Sequence, residues 1–331
     1  MNHTASAQAT VITEPGHVEM AEVPCPEPGL GQVRVHIEGC GVCASNLPPW
    51  EGKPWFHYPM EPGQLGHEAW GRIDKVGEGV DEFTVGERVT ILSNHAYAAY
   101  DIADTISVVR LPETLDGQPF PGEPLGCAMN VLGRSEIAPG QTVAIIGSGF
   151  LGSLLTRLIS NAGAHVIALS RRPFALEMAR RMGAEETISL DDHGQSENAA
   201  PIIEQVKGLT DGAFCDRVIE ATGKAWPLDV AGELTRVRGR LIIAGYHQDG
   251  PRQINMQLWN WRGLDVINAH ERDPEVYRQG MLRAVQAVVS GELDPSPLMT
   301  HSFPLKRLAD ALDMTRDRPE GFMKAWVEPA L

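Results

Sequence analysis

The chain has 331 residues and a formal net charge of −15, from 28 basic and 43 acidic side chains. Its length favours two domains, and its charge argues against a nucleic-acid-binding surface, which needs a basic patch. The first 13 residues show no basic segment followed by an apolar run, and no apolar run approaches the ~20 residues of a membrane span. We therefore expect a cytoplasmic protein with no nucleic-acid or membrane partner.

The first ~120 residues have the pattern of a β-rich region, because short runs of β-branched and apolar residues alternate with loop residues. Val33, Val35 and Ile37 alternate with polar residues, which is typical of a half-exposed strand. Residues 88–92 and 105–109 predict further short strands. The cysteines number five and are irregularly spaced, which is not the pattern of a disulfide framework.

The pattern changes near residue 139, after which strands and helices alternate. Residues 142–146 form an apolar run that predicts a buried strand, 150–162 have helical spacing, and 165–169 predict a second strand. Later strand patterns begin at Arg217, Arg240 and Leu264. Strands that alternate with helices indicate βαβ units and a parallel sheet.

A glycine-rich loop joins the first of these strands to its helix. The loop reads Gly147-Ser148-Gly149-Phe150-Leu151-Gly152, which is the spacing of a dinucleotide-binding turn. Two glycines allow the tight turn and close approach to a pyrophosphate, and the third allows close helix–strand packing. The helix N-terminus supplies free N–H groups and a positive dipole end for the anion.

The second strand of this region ends in Ser170-Arg171-Arg172, where NAD-binding proteins usually carry an acidic residue. A hydroxyl and two guanidinium groups suit a 2′-phosphate, because arginine makes charge-assisted bonds to phosphate. The sequence therefore favours NADP(H) over NAD(H). Two solvated arginines that open a helix are the alternative.

Three metal-ligand side chains occur in the β-rich half. Cys43 precedes the adjacent pair His67 and Glu68 by 24 positions. Thiolate, imidazole and carboxylate are the ligands that zinc prefers. A free cysteine alone is more often a small buried hydrophobe, but the three together favour a metal site.

These motifs resemble the medium-chain dehydrogenase/reductase superfamily, in its zinc-dependent alcohol dehydrogenase branch. The resemblance extends over nearly the whole chain: the Cys43 segment, the Gly66-His67-Glu68 motif with its trailing glycines, residues 86–89 and Glu220-Ala-Thr-Gly223 stand in the family's order. It implies an α/β fold, with a GroES-like β-rich catalytic domain (1–124 and 271–331) and a Rossmann doubly wound parallel-sheet domain (125–270). It also implies that Ala221, Thr222 and Gly245 contact the cofactor.

The resemblance assigns Cys43 and His67 as ligands of a catalytic zinc, with Glu68 as a ligand or a near neighbour of the metal. Two residues compete for the remaining position. Glu123 stands at the expected distance before residue 139, in an EPL segment like that of polyol and threonine dehydrogenases, and Cys127 is the softer alternative. We favour Glu123.

Two departures from the family matter for function. The lobe that binds a second, structural zinc is missing, which implies one Zn²⁺ per chain. Ser45 matches the family hydroxyl that contacts the substrate oxygen, but Asn46 replaces the usual aspartate and Pro48 replaces a relay histidine. Proton release must therefore use another route.

Together these features predict an oxidoreductase that transfers a hydride between NADP(H), or NAD(H), and an alcohol or carbonyl substrate. The EPL segment tilts the substrate towards a polyol or hydroxy-ketone. The alternatives are a zinc-free enone or quinone reductase of the same fold, and a non-catalytic NADP(H)-binding sensor. Residues 266–269 resemble the edge strand through which family members dimerise, so we expect a homodimer or homotetramer.

Overall fold

A computed structural model describes residues 6–191 and 198–329. The strands are β1 (Ser6–Glu14), β2 (His17–Pro24), β3 (Gln32–Gly41), β4 (Glu68–Val76), β5 (Arg88–Ile91), β6 (Tyr100–Asp104), β7 (Val108–Arg110), β8 (Thr142–Ile146), β9 (His165–Ser170), β10 (Glu186–Ser189), β11 (Cys215–Glu220), β12 (Thr235–Ile243), β13 (Asp265–Asn268), β14 (Met299–Pro304) and β15 (Lys324–Glu328). The helices are α1 (Leu47–Trp50), α2 (Gly122–Ser135), α3 (Phe150–Asn161), α4 (Pro173–Arg181), α5 (Ala200–Leu209), α6 (Ala225–Leu234), α7 (Met256–Arg262), α8 (Pro274–Val289) and α9 (Leu308–Asp317).

Contacts between residues divide the chain into two compact units. The first, unit 1, contains the described residues up to Gly126 and those from Arg272 onward, and the second, unit 2, contains Cys127–Glu271. Within the described residues, none of the helices combines the length and the apolar character that crossing a membrane requires.

Unit 1 is built on a mostly antiparallel sheet. Its strand order is β14-β15-β3-β4-β5-β7, with β6 paired to β3, and β1 and β2 form a separate hairpin. The alternating residues Val33, Val35 and Ile37 of β3 are fully buried in the core of this unit, as their spacing predicted. Strands β3, β4 and β15 place Gly41, Glu68 and Trp326 side by side, which fixes the ends of these strands around one site.

One strand prediction in unit 1 is wrong in its first half. Residues 105–109 were expected to form a strand, but Thr105–Ser107 form a 3-10 turn and β7 begins only at Val108. The Thr105 N–H donates to Gly31 O and the Ser107 carbonyl accepts from Leu92 N, so these backbone groups do not form a regular ladder. A short stretch with β-branched residues cannot by itself distinguish the two outcomes.

Unit 2 is a six-stranded parallel sheet of order β10-β9-β8-β11-β12-β13. This is the doubly wound order, in which the chain reverses direction across the sheet at β8 and β11. Val143 to Ile146 of β8 are completely buried, which explains why this strand is a continuous apolar run. The predicted fold class, a β-rich domain plus a doubly wound parallel sheet, is confirmed.

Candidate active site

Cys43, His67 and Glu68 form a cluster in unit 1. Their ligand atoms all lie within 4.8 Å of one another. Cys43 caps the 3-10 turn Ala44–Asn46 that follows β3, and His67 and Glu68 stand at the start of β4. Because β3 and β4 are neighbours in the sheet, the residues that follow β3 and those that begin β4 lie close together, although they are 24 positions apart in sequence. The structure thus brings together three of the metal ligands that the sequence suggested.

The orientation of His67 is set by the backbone beside it. Its Nδ1 lies 2.8 Å from the carbonyl oxygen of Leu65, an arrangement in which Nδ1–H donates. Leu65 has a φ of 78°, a left-handed conformation that is rare for a branched residue and points to a functional constraint. The bond leaves Nε2 as the nitrogen available to a ligand, which is how metal-binding histidines are usually held.

Charges around His67 make the site attractive to a cation. Burial by itself lowers the pKa of the imidazole, but the hydrogen bond that the ring donates to the Cys43 sulfur and the charges of Cys43, Glu123 and Glu68 outweigh it and raise the pKa to about 10. The positive form is therefore strongly favoured without a metal. A divalent cation that displaces this proton meets the same three negative groups.

Glu68 is completely buried and forms an ion pair with Lys324 of β15. The Lys324 Nζ lies 2.7 Å from Oε1 and 2.5 Å from Oε2 of Glu68. Burial lowers the pKa of Lys324, but the Glu68 charge and the other negative groups of the site outweigh it and raise that pKa overall. A Cβ at Gly41 would lie 1.9 Å from Glu68 Oε2, so only glycine leaves room for this carboxylate.

Lys324 is a residue that the sequence reasoning missed. It is the first residue of β15, and a lysine at the end of a short strand is ordinarily solvated. Its only signal was a single charge in an otherwise apolar and aromatic segment, Phe322 to Val327. Its partner is 256 positions away, so the ion pair exists only because β15 pairs with β3.

Glu123, the residue favoured for the remaining ligand position, lies in the first turn of α2, and its carboxylate accepts a hydrogen bond from the Tyr277 hydroxyl of α8. Burial raises its pKa, while the nearby His67 opposes that shift. Glu123 is therefore close enough to influence His67, but it is not among the three residues whose ligand atoms cluster. Cys127, the runner-up, belongs to unit 2 and is also not a member of the cluster.

The proposed proton-transfer residue, Ser45, lies within a small polar network. Its Oγ is 3.5 Å from Asn46 Oδ1. The buried Asn46 donates to the Tyr97 hydroxyl at 2.6 Å and to the Leu65 carbonyl at 3.3 Å, so it shares that carbonyl with His67. Asn46 therefore stabilises the same strained residue that orients the imidazole, a role that the sequence did not reveal.

The glycine loop of unit 2 has the conformation that the spacing predicted. Gly147 has a φ of 105°, and a Cβ there would lie 2.6 Å from Thr222 Cγ2. A Cβ at Gly152 would lie 2.0 Å from Gly147 O, so this glycine is required by helix–strand packing. At Gly149, by contrast, a Cβ would meet no atom of the described residues within 4 Å, although this residue caps α3. Open space at the helix N-terminus fits the approach of a phosphate.

The tip of β9 carries the residues expected at a 2′-phosphate. Ser170 Oγ accepts from Arg172 N at 3.3 Å. The guanidinium of Arg171 lies 5.4 Å from the ring centre of Trp226, in a cation–π arrangement, and 3.7 Å from the Asp191 carboxylate. Arg171 is exposed, so its side chain remains accessible to a ligand.

The other predicted cofactor residues have structural roles as well. Ser148, Phe150 and Leu151 follow β8, and Ser148 is buried with its Oγ 3.3 Å from Leu169 O. Ala221 and Thr222 follow β11, and Gly245 follows β12, so all three stand at the carboxyl ends of parallel strands. Ligands of open α/β sheets bind at this edge.

A buried carboxylate holds these last loops together. Glu220 Oε1 accepts hydrogen bonds from Thr222 N at 2.6 Å and Gly223 N at 2.9 Å, while Oε2 pairs with His247 Nε2 at 2.9 Å. A Cβ at Gly245 would lie 2.2 Å from Gly223 N, so the two loops are in close contact. His247 thus has a structural role in this region, as the partner of the buried Glu220 carboxylate.

Models of known protein families match both the β-rich half and the parallel-sheet half of the chain. The family model described as an alcohol dehydrogenase GroES-like domain matches residues 29–115, and the model described as a zinc-binding dehydrogenase matches residues 151–287. The chain is 27% identical to a sorbitol dehydrogenase of Halalkalibacterium halodurans, over 87% of this chain and 89% of that one. It is 25% identical to the sorbitol dehydrogenase of Gallus gallus, over 97% and 96%.

Among solved structures, a protein from Sinorhizobium meliloti 1021 that is described as a zinc-binding dehydrogenase, bound to NADP, superposes with a TM-score of 0.84 at 25% identity, covering 98% of this chain and 100% of that one. The β-rich unit is thus a GroES-like domain and the parallel sheet a Rossmann-like domain. The chain belongs to the zinc-type medium-chain dehydrogenase/reductase superfamily and is an oxidoreductase of its alcohol and polyol dehydrogenase type.

Proposed function

We propose that this protein is a zinc-dependent, NADP(H)-preferring dehydrogenase. Its substrate is a small polyol or hydroxy-ketone, in which it converts an alcohol group to a ketone or aldehyde or catalyses the reverse reduction. Unit 1 is the catalytic domain and unit 2 the nucleotide-binding domain. The observation that carries the proposal is the cluster of Cys43, His67 and Glu68, with the His67 imidazole already fixed by the Leu65 carbonyl.

The donor set fits a zinc ion. Sulfur, nitrogen and oxygen donors are available from Cys43, His67 and Glu68, and Glu123 is a further carboxylate near His67. When bound, zinc would act as a Lewis acid that polarises the substrate C–O group. The buried Lys324 neutralises Glu68 and holds its carboxylate in place.

The residues of the chain itself would orient the substrate and move its proton. Ser45 exchanges a proton with the substrate oxygen, and its Oγ lies 3.5 Å from the acceptor Asn46 Oδ1. Because Pro48 cannot act as a relay, the proton would have to leave through water. The bound nicotinamide supplies the hydride chemistry, and the protein contributes its orientation.

NADP(H) is preferred because the tip of β9 offers Ser170, Arg171 and Arg172 and no carboxylate of its own. The NADP-bound relative from S. meliloti supports this assignment. Replacement of both arginines by glutamine should weaken NADPH binding far more than NADH binding. Equal effects on the two cofactors would contradict the preference.

Two measurements test the function as a whole. Metal analysis of the purified protein should find one zinc per chain, and His67→Asn should lose it, whereas His17→Asn, an exposed histidine in β2, should retain it. Nicotinamide absorbance should then report hydride transfer with polyols or hydroxy-ketones. A zinc-free protein that reduces enones, or one that binds NADPH without any turnover, would identify one of the two alternatives instead.

Ser45 is tested separately from the metal. Ser45→Ala should lower turnover by about 10²- to 10⁴-fold, the usual contribution of a general acid–base group. Its zinc content should stay that of the unaltered protein, because Ser45 is not a ligand. Unchanged turnover would remove Ser45 from the mechanism.

We also propose that two copies associate through β13. This strand is the last of the parallel sheet, its Val266 is 39% exposed, and Trp261 in the preceding helix is 88% exposed. An unprotected edge strand with apolar neighbours is suited to pairing with a second strand. Light scattering should show a dimer or tetramer, and Val266→Lys should shift it towards monomer. A monomeric unaltered protein would refute this proposal.

A further inference from the structure

Arg318 occupies a strained position at the end of α9. It is the C-cap residue of this helix, with φ 47° and ψ 59°. The left-handed region is normally taken by glycine at helix ends, because a Cβ is disfavoured there. A long basic side chain thus stands where the backbone favours glycine, which invites a functional explanation.

The charge of Arg318 lacks a carboxylate partner within the part of the chain that the structure describes. Its Nε donates to Thr315 O at 3.1 Å, and this bond occupies only one of its five donors. The neighbouring Arg316 is different, since it pairs with Asp313 at 2.8 Å and with Asp317 at 2.7 Å. Two arginines two positions apart therefore differ in having or lacking a negative partner.

The helix that Arg318 ends contacts a segment next to the cluster. Helix α9 packs against the 3-10 turn Ala44–Asn46, which Cys43 caps. Burial lowers the pKa of Arg318 and the Cys43 charge acts in the opposite direction, so the guanidinium lies within electrostatic range of Cys43. Its side chain is nevertheless exposed to solvent. The Arg318 side chain is therefore accessible to a small ligand, while the protein around it already removes part of the water from its guanidinium group.

Lys324, the other basic group of the site, does not have this freedom. It is buried and held by both oxygens of Glu68. An anion that approaches the cluster therefore meets Arg318 as the side chain with uncommitted donors. Guanidinium groups bind carboxylate and phosphate through paired, charge-assisted hydrogen bonds.

We propose that Arg318 binds an anionic group of the substrate, so that the preferred substrate is a hydroxy acid or a polyol phosphate and not a neutral polyol. This inference rests on the proposed function and narrows its substrate class. Arg318 is a specificity-determining residue, and carboxylate and phosphate are the two groups that its planar donors match.

The test compares three substrates that differ only at the far end: a pentitol, its terminal phosphate ester and the corresponding sugar acid. The unaltered enzyme should show a kcat/KM about 10- to 100-fold higher for at least one anionic substrate than for the pentitol, as expected for a hydrogen bond between charged groups. Arg318→Gln should reduce this ratio to near one, while the control Arg316→Gln should retain it. The phosphate and acid arms identify which anion is preferred.

A binding measurement separates failure of the inference from failure of the proposed function. Succinate and inorganic phosphate are titrated calorimetrically into the zinc-loaded protein with NADP⁺ present. Binding of either anion by the unaltered protein and by Arg316→Gln, but not by Arg318→Gln, supports the inference even if no substrate turns over. A neutral pentitol that is used as well as both anionic substrates, or the same anion binding in all three proteins, would overturn it.

Discussion

The ammonium group of Lys324 lies 2.7 Å and 2.5 Å from the two carboxylate oxygens of Glu68, and both side chains are buried. The pair links β15, near the end of the chain, to the first residue of β4. Removing one partner of such a pair leaves an uncompensated charge in the interior. This relationship makes the stability of unit 1 depend on a residue of the candidate metal site.

The first prediction concerns Lys324→Met. Without metal, the variant should lose about 3–5 kcal/mol of unfolding free energy, because Glu68 is left buried without its cation. With zinc bound, the loss should be smaller, since the metal provides a positive partner. Denaturant unfolding with and without zinc measures both values. The double variant Glu68→Gln, Lys324→Met is the control and should recover part of the loss; an equal loss in both metal states would contradict the link between the pair and the metal.

Gly41→Ala tests the space that this ion pair needs. The new Cβ would lie 1.9 Å from Glu68 Oε2, so the carboxylate must move away from Lys324. We expect a loss of about 1–3 kcal/mol, which is typical of overpacking in a core. Gly133→Ala is the matched control, because this exposed glycine of α2 has open space around its Cβ position and should gain about 0.5–1 kcal/mol. Similar effects of the two substitutions on thermal unfolding would show that the packing around Gly41 is not as described.

Zinc affinity should depend on pH through His67. The imidazole pKa rises from 6.5 to about 10 in the zinc-free protein, so the ring is protonated in this interval and zinc must displace one proton. The apparent affinity should therefore rise about tenfold per pH unit between about pH 7 and 9. Competition with a chelator of known pH dependence measures it. Cys43→Ala removes the hydrogen bond and the charge that raise this pKa, so its affinity should be lower and its pH dependence flatter. A pH-independent affinity in the unaltered protein would contradict the assignment.

The sequence predicts the fold of this protein more completely than it predicts the contacts of the candidate site. Alternation in β3 and the continuous apolar run of β8 reveal which faces are buried, because the periodicity of burial follows directly from strand geometry. Adjacent motifs such as His67-Glu68 are also visible. Lys324 and Tyr277 are not, since each meets its partner only after strands or helices distant in sequence have packed, at separations of 256 and 154 positions. The same holds for Asn46, whose contact with the Leu65 carbonyl depends on the local fold.

The last prediction separates two glycines of the dinucleotide loop that the sequence motif treats alike. Gly152→Ala places a Cβ 2.0 Å from Gly147 O and should destabilise the protein. Gly149→Ala should leave thermal stability almost unaltered, because its φ of −77° suits any residue and its Cβ meets no atom within 4 Å in the part of the chain that the structure describes. It should still weaken NADPH binding, since the methyl group enters the space that a pyrophosphate would approach. Fluorescence titration with NADPH, together with thermal unfolding, measures both effects. Full NADPH affinity in Gly149→Ala would mean that the cofactor phosphates do not approach this turn, and the proposed nucleotide site would have to be moved elsewhere on the sheet.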